Sequence, residues 1–588
     1  MEYKWILTKI GADYEGIGKR FQIDPVTARV IRNRGIIEDA EIQKFLYGGV
    51  EDLHAPHLMK DGVKLVSILK EKIAEKAHIR IIGDYDIDGI MATYVLMTAL
   101  KRVGAVASTQ IPDRIHDGYG LNKNLIEKAK EDGVDTILTC DNGIAAIEEI
   151  AYAKELGMTV LVTDHHAIPY DEIDGKKIYK TSVADAIVNP HQMDCPYPYK
   201  ELCGAAVAWK VVCLLYESYG VSSEEAEDLL ENVGFATIGD IMSLTGENRI
   251  LVKEGLKRLR KSKNIGMQAL VAQCELELET VNAHNVGFVL GPCINASGRI
   301  DTARRSLELF FQTDRTKAIT MANELVSLNA ERKEMTLKGE ADAIRFCEEN
   351  GCENERVLVI YLPKVHESIA GIIAGRIRDR YHKPAFVVTK AENGVVKGSG
   401  RSITEYSMYE EMCKCKDLLT KFGGHPMAAG LSLEEENLEA FRQQINEVCT
   451  LSEEDLMPKI YIDVDMPMDY ATIDFVKELP VLGPFGKDNK RPVFADKGIR
   501  VKKLKEVGKN NDTLRMELIT RSGETVSAIR FRDKDTVLEY LRGKFGDTQV
   551  QAALRGEPNT IELSLIYDPD INTFRGEESL QYIIQYYK

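Results

Sequence analysis

Residues Gly83–Gly89 read GDYDIDG, which puts three carboxylates, Asp84, Asp86 and Asp88, into five positions. Unpaired, such neighbours repel one another and raise each other's pKa. The crowding therefore calls for a cation, and a hard divalent metal suits oxygen ligands best. The apolar run before the motif, HIRII, suits a strand, and IMATYVLMTALKRVG after it suits a packed helix closed by glycine. Strand and helix together should hold the loop at the crevice of a sheet; a solvated acidic loop is the alternative.

Two later motifs end apolar runs in the same manner. Asp141-Asn142-Gly143 follows TILTC, and Asp164-His165-His166 follows MTVLVT. Together with ASTQIP and AIVNP, these runs alternate with helical stretches in the βαβ manner that builds a mostly parallel sheet. Ligands of such sheets gather beyond the carboxyl ends of the strands, where Asp84, Asp141, Asp164 and His165 fall. After Pro190 the pattern turns helical and brings Asp240 to a helix end. Asp84, Asp86, Asp88, Asp141, His165 and Asp240 then offer up to six ligands. An oxygen-rich set with one imidazole favours Mn²⁺ or Mg²⁺ over structural zinc. Two such ions, held ~3.5 to 4 Å apart by bridging carboxylates, hydrolyse phosphate esters with water as the nucleophile. Taken singly, each ligand has a plainer reading: Asp141 as an Asx-turn, Asp164 as a turn cap, the histidines as surface residues, Asp240 as a helix-end acid.

A chain of 588 residues is too long for one core, so three or four units are expected. The fold class is α/β multidomain: a parallel-sheet domain, a long connecting helix, a second α/β domain and a C-terminal β-barrel. Residues 316–346 carry Ala318, Met321, Leu325 and Leu328 at helical spacing and read as one helix. RVLVIYL, a helix from Glu367 to Tyr381, PAFVVTK and the glycine-rich GVVKGSGRS make the second α/β unit. TLRMELIT, TVSAIRF and TQVQAALR read as short barrel strands, with little helix. The limits drawn are 1–55, a segment of open role; 56–310; 311–352 for the connector; 353–455; and 456–588.

The net charge of -16 argues against nonspecific adhesion to a polyanion, yet it averages unlike regions. Between Gly486 and Phe545 sixteen Lys or Arg stand against nine Asp or Glu, a local +7 that points to an anionic partner or to a solvated charged face. The eleven cysteines are scattered without CxxC pairs or zinc spacing and read as free thiols of a reducing compartment. No apolar run approaches the ~20 residues of a membrane span. The N-terminus lacks the pattern of a signal peptide, so a cytoplasmic protein without a membrane role is expected.

At GDYDIDG, DNG and DHH, in this order, the chain resembles the DHH phosphoesterase family. INASGRI (294–300), GSGRS (398–402) and FGGHPMAAG (422–430) look like substrate-side motifs of its single-strand-specific exonuclease branch, the last two in the domain called DHHA1. GPFGKDNKRPVF is similar to the opening of that branch's OB-fold. Several related phosphatases carry a histidine in the first motif, where this chain has the all-acid form.

The resemblance implies that Asp84, Asp86, Asp88, Asp141, His165 and Asp240 ligate two divalent cations, Mn²⁺ or Mg²⁺, with Asp141 bridging. It makes Asp141, His165 and His166 catalytic, His166 facing the phosphate. Substrate contacts would come from Arg114, Asn295, Arg299, Ser399, Arg401, Gly424 and His425. Guanidinium forks suit phosphate oxygens, although any one arginine also reads as a surface ion-pair partner. The implied activity is 5′-to-3′ hydrolysis of single-stranded DNA to mononucleotides in repair and recombination. The implied protein is a monomer, with a single-strand-binding protein and a helicase as candidate partners. Phe494 and Phe531 are candidates for base stacking in the third unit, or for its core. The alternative is an oligoribonuclease or cyclic-dinucleotide phosphodiesterase with the same catalytic core; a non-enzymatic scaffold is opposed by retention of every acid.

Overall fold

A computed structural model describes residues 3–113, 120–173, 176–391, 395–508, 511–574 and 576–588. The chain forms two compact units, Val50–Pro458 and a composite of Met1–Gly49 with Lys459–Lys588.

The first sheet of the larger unit has five strands in the order Val106–Gln110, His78–Ile82, Thr136–Cys140, Thr159–Thr163, Ala186–Val188. All four pairings are parallel, and each strand is one read from the sequence. The first strand in the chain lies between the second and the third, so the strand order reverses there and opens a crevice at the carboxyl ends. Asp84 follows one of the two strands flanking that crevice, and Asp141 follows the other. Helices Ile87–Arg102 and Gly204–Tyr219 cover one face of the sheet with nearly continuous apolar surface.

Helix Arg315–Asn350 is 36 residues long, somewhat more than the sequence pattern gave. Asp314 caps its start by accepting from the N–H of Thr316 and Lys317. Its first half packs Ala318, Ala322 and Leu325 into the core of the first domain, and its second half packs Ala343 and Cys347 into that of the next. One helix thereby belongs to both cores. The second sheet runs Lys421–His425, Ala428–Leu433, Val396–Arg401, Ala385–Lys390, Leu358–Tyr361. Only its last pair is parallel. Helix Glu367–Tyr381 packs on this sheet with the bounds read from the sequence.

In the composite unit, strands Phe494–Val507, Thr513–Ile519, Thr525–Arg530, Glu577–Tyr587 and Glu562–Phe574 pair in turn, and the last returns to the first. This ring is the barrel expected, but one of its anticipated strands is not in it. TQVQAALR belongs to helix Asp547–Arg555, which follows a further helix, Lys534–Phe545. Val550 and Ala553 are buried at helical spacing there, and alanine, glutamine, leucine and arginine all favour the helix, so the apparent alternation was incidental. Phe494 is fully buried in the barrel core, which removes it from the stacking candidates, whereas Phe531 is 47% exposed.

The segment of open role also resolves here. Helices Tyr14–Phe21, Pro25–Asn33 and Asp39–Tyr47 bury Ile17, Val30, Ile31 and Ile42 in one cluster with Phe494, Leu514 and Leu565 of the barrel. Strand Lys4–Leu7 pairs in parallel with Lys459–Ile462. Arg34 donates to the Lys490 carbonyl at 2.7 Å and to the side chain of the buried Asn489, so the GPFGKDNK stretch is an internal brace. All eleven cysteines are free thiols, eight of them buried. Among the described residues no helix is long and apolar enough to cross a membrane.

Candidate metal centre

Each acid of GDYDIDG is held differently. Asp86 caps helix Ile87–Arg102, its Oδ1 accepting from the N–H of Asp88 at 3.0 Å and Gly89 at 3.1 Å. Asp88, in the first turn of the helix and fully buried, accepts from the N–H groups of Gly204 at 2.5 Å and Ala205 at 2.8 Å. It thus compensates the positive end of the neighbouring helix Gly204–Tyr219. Asp84, also buried, ends the strand side of the loop.

Asp141 adopts a left-handed backbone, φ 59°, directly after the central strand Thr136–Cys140. Helix Gly204–Tyr219 reaches it only because residue 204 has no Cβ: one would sit 2.6 Å from the Cβ of Asp141. Asp164 is the hub of its loop. One oxygen accepts from the N–H of His165 (2.7 Å) and His166 (3.1 Å) and pairs with Nδ1 of His166 at 2.8 Å; the other accepts from the N–H of Ile144 at 2.9 Å. The turn-cap reading of Asp164 is therefore correct. Its work is to aim both histidines.

The aim is convergent. Nε2 of His165 stands 3.1 Å from Oδ1 of Asp141, 3.6 Å from Oδ2 of Asp88 and 3.9 Å from Oδ2 of Asp240, at the end of helix Leu230–Gly239. Three triads each bring ligand atoms within 4.8 Å of one another: Asp84, Asp86 and Asp141; Asp88, His165 and Asp240; Asp141, His165 and His166. The first two share no residue, and the third joins them through Asp141 and His165. This is a layout for two cations side by side, and it gathers all six ligands read from the sequence.

The electrostatics fit positive charge. Burial pushes the Asp141 carboxyl well above its ordinary value, and Asp88, Asp86, Asp84 and Asp240 push it further. Burial and then Asp88 raise Asp86 likewise. For Asp164 burial acts upward but is outweighed by His166 and His165, so its pKa falls. For His166 burial acts downward, yet the bond to Asp164 and the field of Asp164, Asp240 and Asp88 lift it to about 9. Acids that resist ionisation together, next to an imidazole, form a donor set for Mn²⁺ or Mg²⁺.

The substrate-side residues divide. Arg114 lies outside the described residues. Asn295 Oδ1 accepts from the N–H of Ile87 at 2.8 Å, bracing the acidic loop, and Gly298 on the same helix, Gly291–Ile300, lies so close that a Cβ would sit 2.4 Å from the Tyr85 carbonyl. INASGRI is thus partly the seat of the loop, a role its small residues hinted at and the sequence reading missed. Arg299 donates to the Ser368 carbonyl at 2.8 Å, and the Arg401 guanidinium lies against Gly371 on the next turn of helix Glu367–Tyr381. A cavity of about 480 Å³ opens beside them, lined by Tyr85, Ser368, Lys397, Ser399, Lys421 and Phe422 among others. Tyr85, inside the acidic loop, is part of its wall. Gly424 and His425 sit at the end of strand Lys421–His425, with His425 exposed and paired across from Ala428. Lys397 and Lys421 went unread because a single lysine carries no pattern.

Comparison with known proteins is consistent across three domains. Family models match residues 78–236 (DHH family, N-terminal domain), 354–451 (DHHA1 domain) and 462–586 (RecJ OB domain). The single-stranded-DNA-specific exonuclease RecJ of Salmonella typhimurium is 32% identical over 96% of this chain and 95% of its own length. That of Bacillus subtilis is 33% identical over 89% of this chain, which spans 65% of that protein. A Thermus thermophilus RecJ structure with Mn²⁺ superimposes on the whole chain and 79% of its own, with TM-score 0.80 at 24% identity. A manganese-bound exonuclease RecJ covers 68% of this chain and 96% of its own, with TM-score 0.57 at 29% identity.

Proposed function

The chain belongs to the RecJ family of single-stranded-DNA-specific exonucleases, and from that premise we propose that it hydrolyses single-stranded DNA to mononucleotides from the 5′ end, with two divalent cations, in DNA repair and recombination. The observation that carries the proposal is the contact of His165 with Asp141 at the strand-order reversal, which joins two complete ligand triads. Asp84, Asp86 and Asp141 would hold one cation, and Asp88, His165 and Asp240 the other. When bound, the pair supplies water activation near neutral pH and neutralises charge on the phosphate.

The remaining steps fall to side chains. Asp164 Oδ1 pairs with Nδ1 of the half-exposed His166 ring at 2.8 Å, and Nε2 of that ring would donate to a phosphate oxygen. Arg299 and Arg401, both against the first turns of helix Glu367–Tyr381, would clamp a terminal 5′-phosphate, with Arg114, Ser399, Gly424 and His425 completing the contacts. Asn295 would act through the loop it braces. Tyr85, which lines the cavity from within the acidic loop, would help to shield the scissile bond from bulk water.

The closed barrel supports a separate grip on the strand, with Phe531 as an exposed ring. The domain limits 56–310, 311–352, 353–455 and 456–588, a cytoplasmic monomer, and transient work with a single-strand-binding protein and a helicase complete the proposal. Incubating the protein with labelled single strands, duplexes and dinucleotides, with and without Mn²⁺ or Mg²⁺, tests it. Mononucleotides released only from 5′-accessible single strands are expected. Turnover confined to dinucleotides would transfer the assignment to a small-substrate phosphodiesterase.

A further inference from the structure

Helix Ile265–Gln273 ends at Cys274, whose N–H donates to the Leu270 carbonyl at 3.0 Å, and the chain turns away at Glu275 with φ 58°. The Cys274 sulfur lies 3.8 Å from that of Cys293, in the first turn of helix Gly291–Ile300. Cys274 is partly exposed, whereas Cys293 is buried at 2% exposure. From 3.8 Å the two sulfurs need to close by only ~1.8 Å to reach the length of a disulfide.

The surroundings of Cys293 favour charge on its sulfur. Asn329, buried in helix Arg315–Asn350, donates from Nδ2 to Cys293 Sγ at 3.3 Å, while among the described residues its Oδ1 meets no hydrogen-bond donor. A buried amide held by one bond to sulfur suits a thiolate, because that bond strengthens with charge on the acceptor. In the neutral form the Cys293 S–H donates to the Val289 carbonyl at 3.3 Å. The bond from Cys274 is the chief cause that holds the Cys293 pKa below its ordinary value; burial opposes it, and Asn329, Lys333 and Arg332 assist. One sulfur is thus primed for attack, and its neighbour reaches solvent. Helix Gly291–Ile300 is also the seat of the acidic loop. Two residues beyond Cys293, Asn295 Oδ1 accepts from the Ile87 N–H, and Gly298 abuts the Tyr85 carbonyl. Asp86 and Asp88 flank Ile87, so a shift of this helix reaches two metal ligands through a single hydrogen bond.

We infer that Cys274 and Cys293 are a reversible oxidation site for hydrogen peroxide, and that the disulfide they form displaces helix Gly291–Ile300 and the acidic loop seated on it, slowing hydrolysis. The bond itself is independent of the nuclease reading above; its effect on rate rests on that reading. The Cys293 thiolate attacks one peroxide oxygen, the O–O bond breaks, and the departing hydroxide takes the Cys274 proton to become water. The Cys274 thiolate so formed attacks the sulfenic sulfur of Cys293. The S–S bond forms, the S–O bond breaks, and the second hydroxide takes from solvent the proton that Cys293 released on ionising. Two thiols and one peroxide thus give one disulfide and two waters, with two electrons passing from sulfur to oxygen. A dithiol reverses the change by exchange, and a transient disulfide of this kind is compatible with a reducing compartment.

The test uses the full chain with Mn²⁺. Stepwise hydrogen peroxide should yield a non-reduced peptide joining Cys274 to Cys293 and lower single-strand hydrolysis about fivefold or more, both reversed by dithiothreitol. Cys274→Ser and Cys274→Ala should hydrolyse at the parental rate, show no cross-link and resist the same peroxide dose, while dimedone labels their Cys293 as sulfenic acid. Cys413→Ser, which alters a partly exposed thiol elsewhere, should keep the parental sensitivity. A peroxide-induced loss that persists in both Cys274 variants, or a cross-link that leaves the rate unchanged, would overturn the inference while leaving the nuclease intact. A parent protein inactive before oxidation would instead refute the underlying reading, and the peptide map would still decide whether the bond forms.

Discussion

His165 Nε2 and Asp141 Oδ1 lie 3.1 Å apart although they follow different strands, because those strands, Thr136–Cys140 and Thr159–Thr163, are parallel neighbours that end level. The register pairs Cys140 with Thr163, so the residues just beyond open onto the same crevice. The contact is therefore a property of the sheet.

Removing the carboxylate charge at the junction should separate catalysis from stability. Asp141→Asn should lower hydrolysis at least tenfold while DNA stays bound, since the barrel is untouched. Asp141 and Asp86 have raised folded pKa values, so their ionisation costs stability above those values, and the cost vanishes below the ordinary 3.8. The metal-free variant should thus melt higher than the metal-free parent at pH 8, with the gap closing as pH falls, and should lose the rise in Tm that Mn²⁺ gives the parent. Thermal melts with EDTA or Mn²⁺ measure both; an unchanged Mn²⁺-induced rise in the variant would reject Asp141 as a ligand.

The Asp164–His166 pair sets a pH window. His166 is raised from 6.5 to about 9, so its contribution is complete below 6.5 and is lost as pH climbs through about 9. Asp164 is lowered from 3.8, so its contribution is present above 3.8 and lost as pH falls through its depressed value. In metal-free protein the stability difference between the parent and His166→Ala should accordingly be largest between these limits and fade above about pH 9. A pH series of chemical denaturation curves reads it directly, and a difference flat to pH 10 would remove the ion pair from the account.

Arg299→Ala and Arg401→Ala should each raise KM about tenfold or more for 5′-phosphorylated strands and have little effect on 5′-hydroxyl strands, because one charge-assisted fork is lost. Lysine should rescue poorly, since it cannot present two parallel donors. Equal loss on both strand types would show that the arginines hold helix Glu367–Tyr381 and not a phosphate.

Truncation must respect the composite unit. Ending the chain at Pro458 would strand the core faces of three N-terminal helices, so the informative variant is residues 50–458. It should keep dinucleotide hydrolysis but bind long strands weakly. The parent's affinity should fall by about tenfold or more between 50 and 200 mM salt as counterion release weakens, and the shortened chain should show a shallower slope. Identical slopes would take the barrel off the DNA.

Local pattern carried the sheet, the long helix and the convergence of the six acid and imidazole candidates, because they cluster where strands end or, for Asp240, where a helix ends. What it could not carry was pairing over distance. The Asp24 N–H meets Glu478 Oε1 at 2.9 Å across 454 positions, and nothing near either residue announces it. Asn295 was read by resemblance as a substrate contact, and local pattern did not announce that its Oδ1 also accepts from the Ile87 N–H or that the small residues of its motif admit the Tyr85 carbonyl. The Asp547–Arg555 helix was misread because polar residues alternated with small apolar ones by chance. Phe494 and Phe531 were alike in sequence, and only burial separates them.

The parallel pairing of Lys4–Leu7 with Lys459–Ile462 also dictates an order of events on the ribosome. The first three helices emerge with their apolar faces bare, and their docking surface is translated some 400 residues later. At ~5 to 20 residues per second, the roughly 400 intervening residues impose a delay of some 20 to 80 seconds, during which the central domains can already have condensed. Newly made chains should need holdase protection of these helices until the barrel strands have been made, and slow codons in the intervening message would lengthen that exposure.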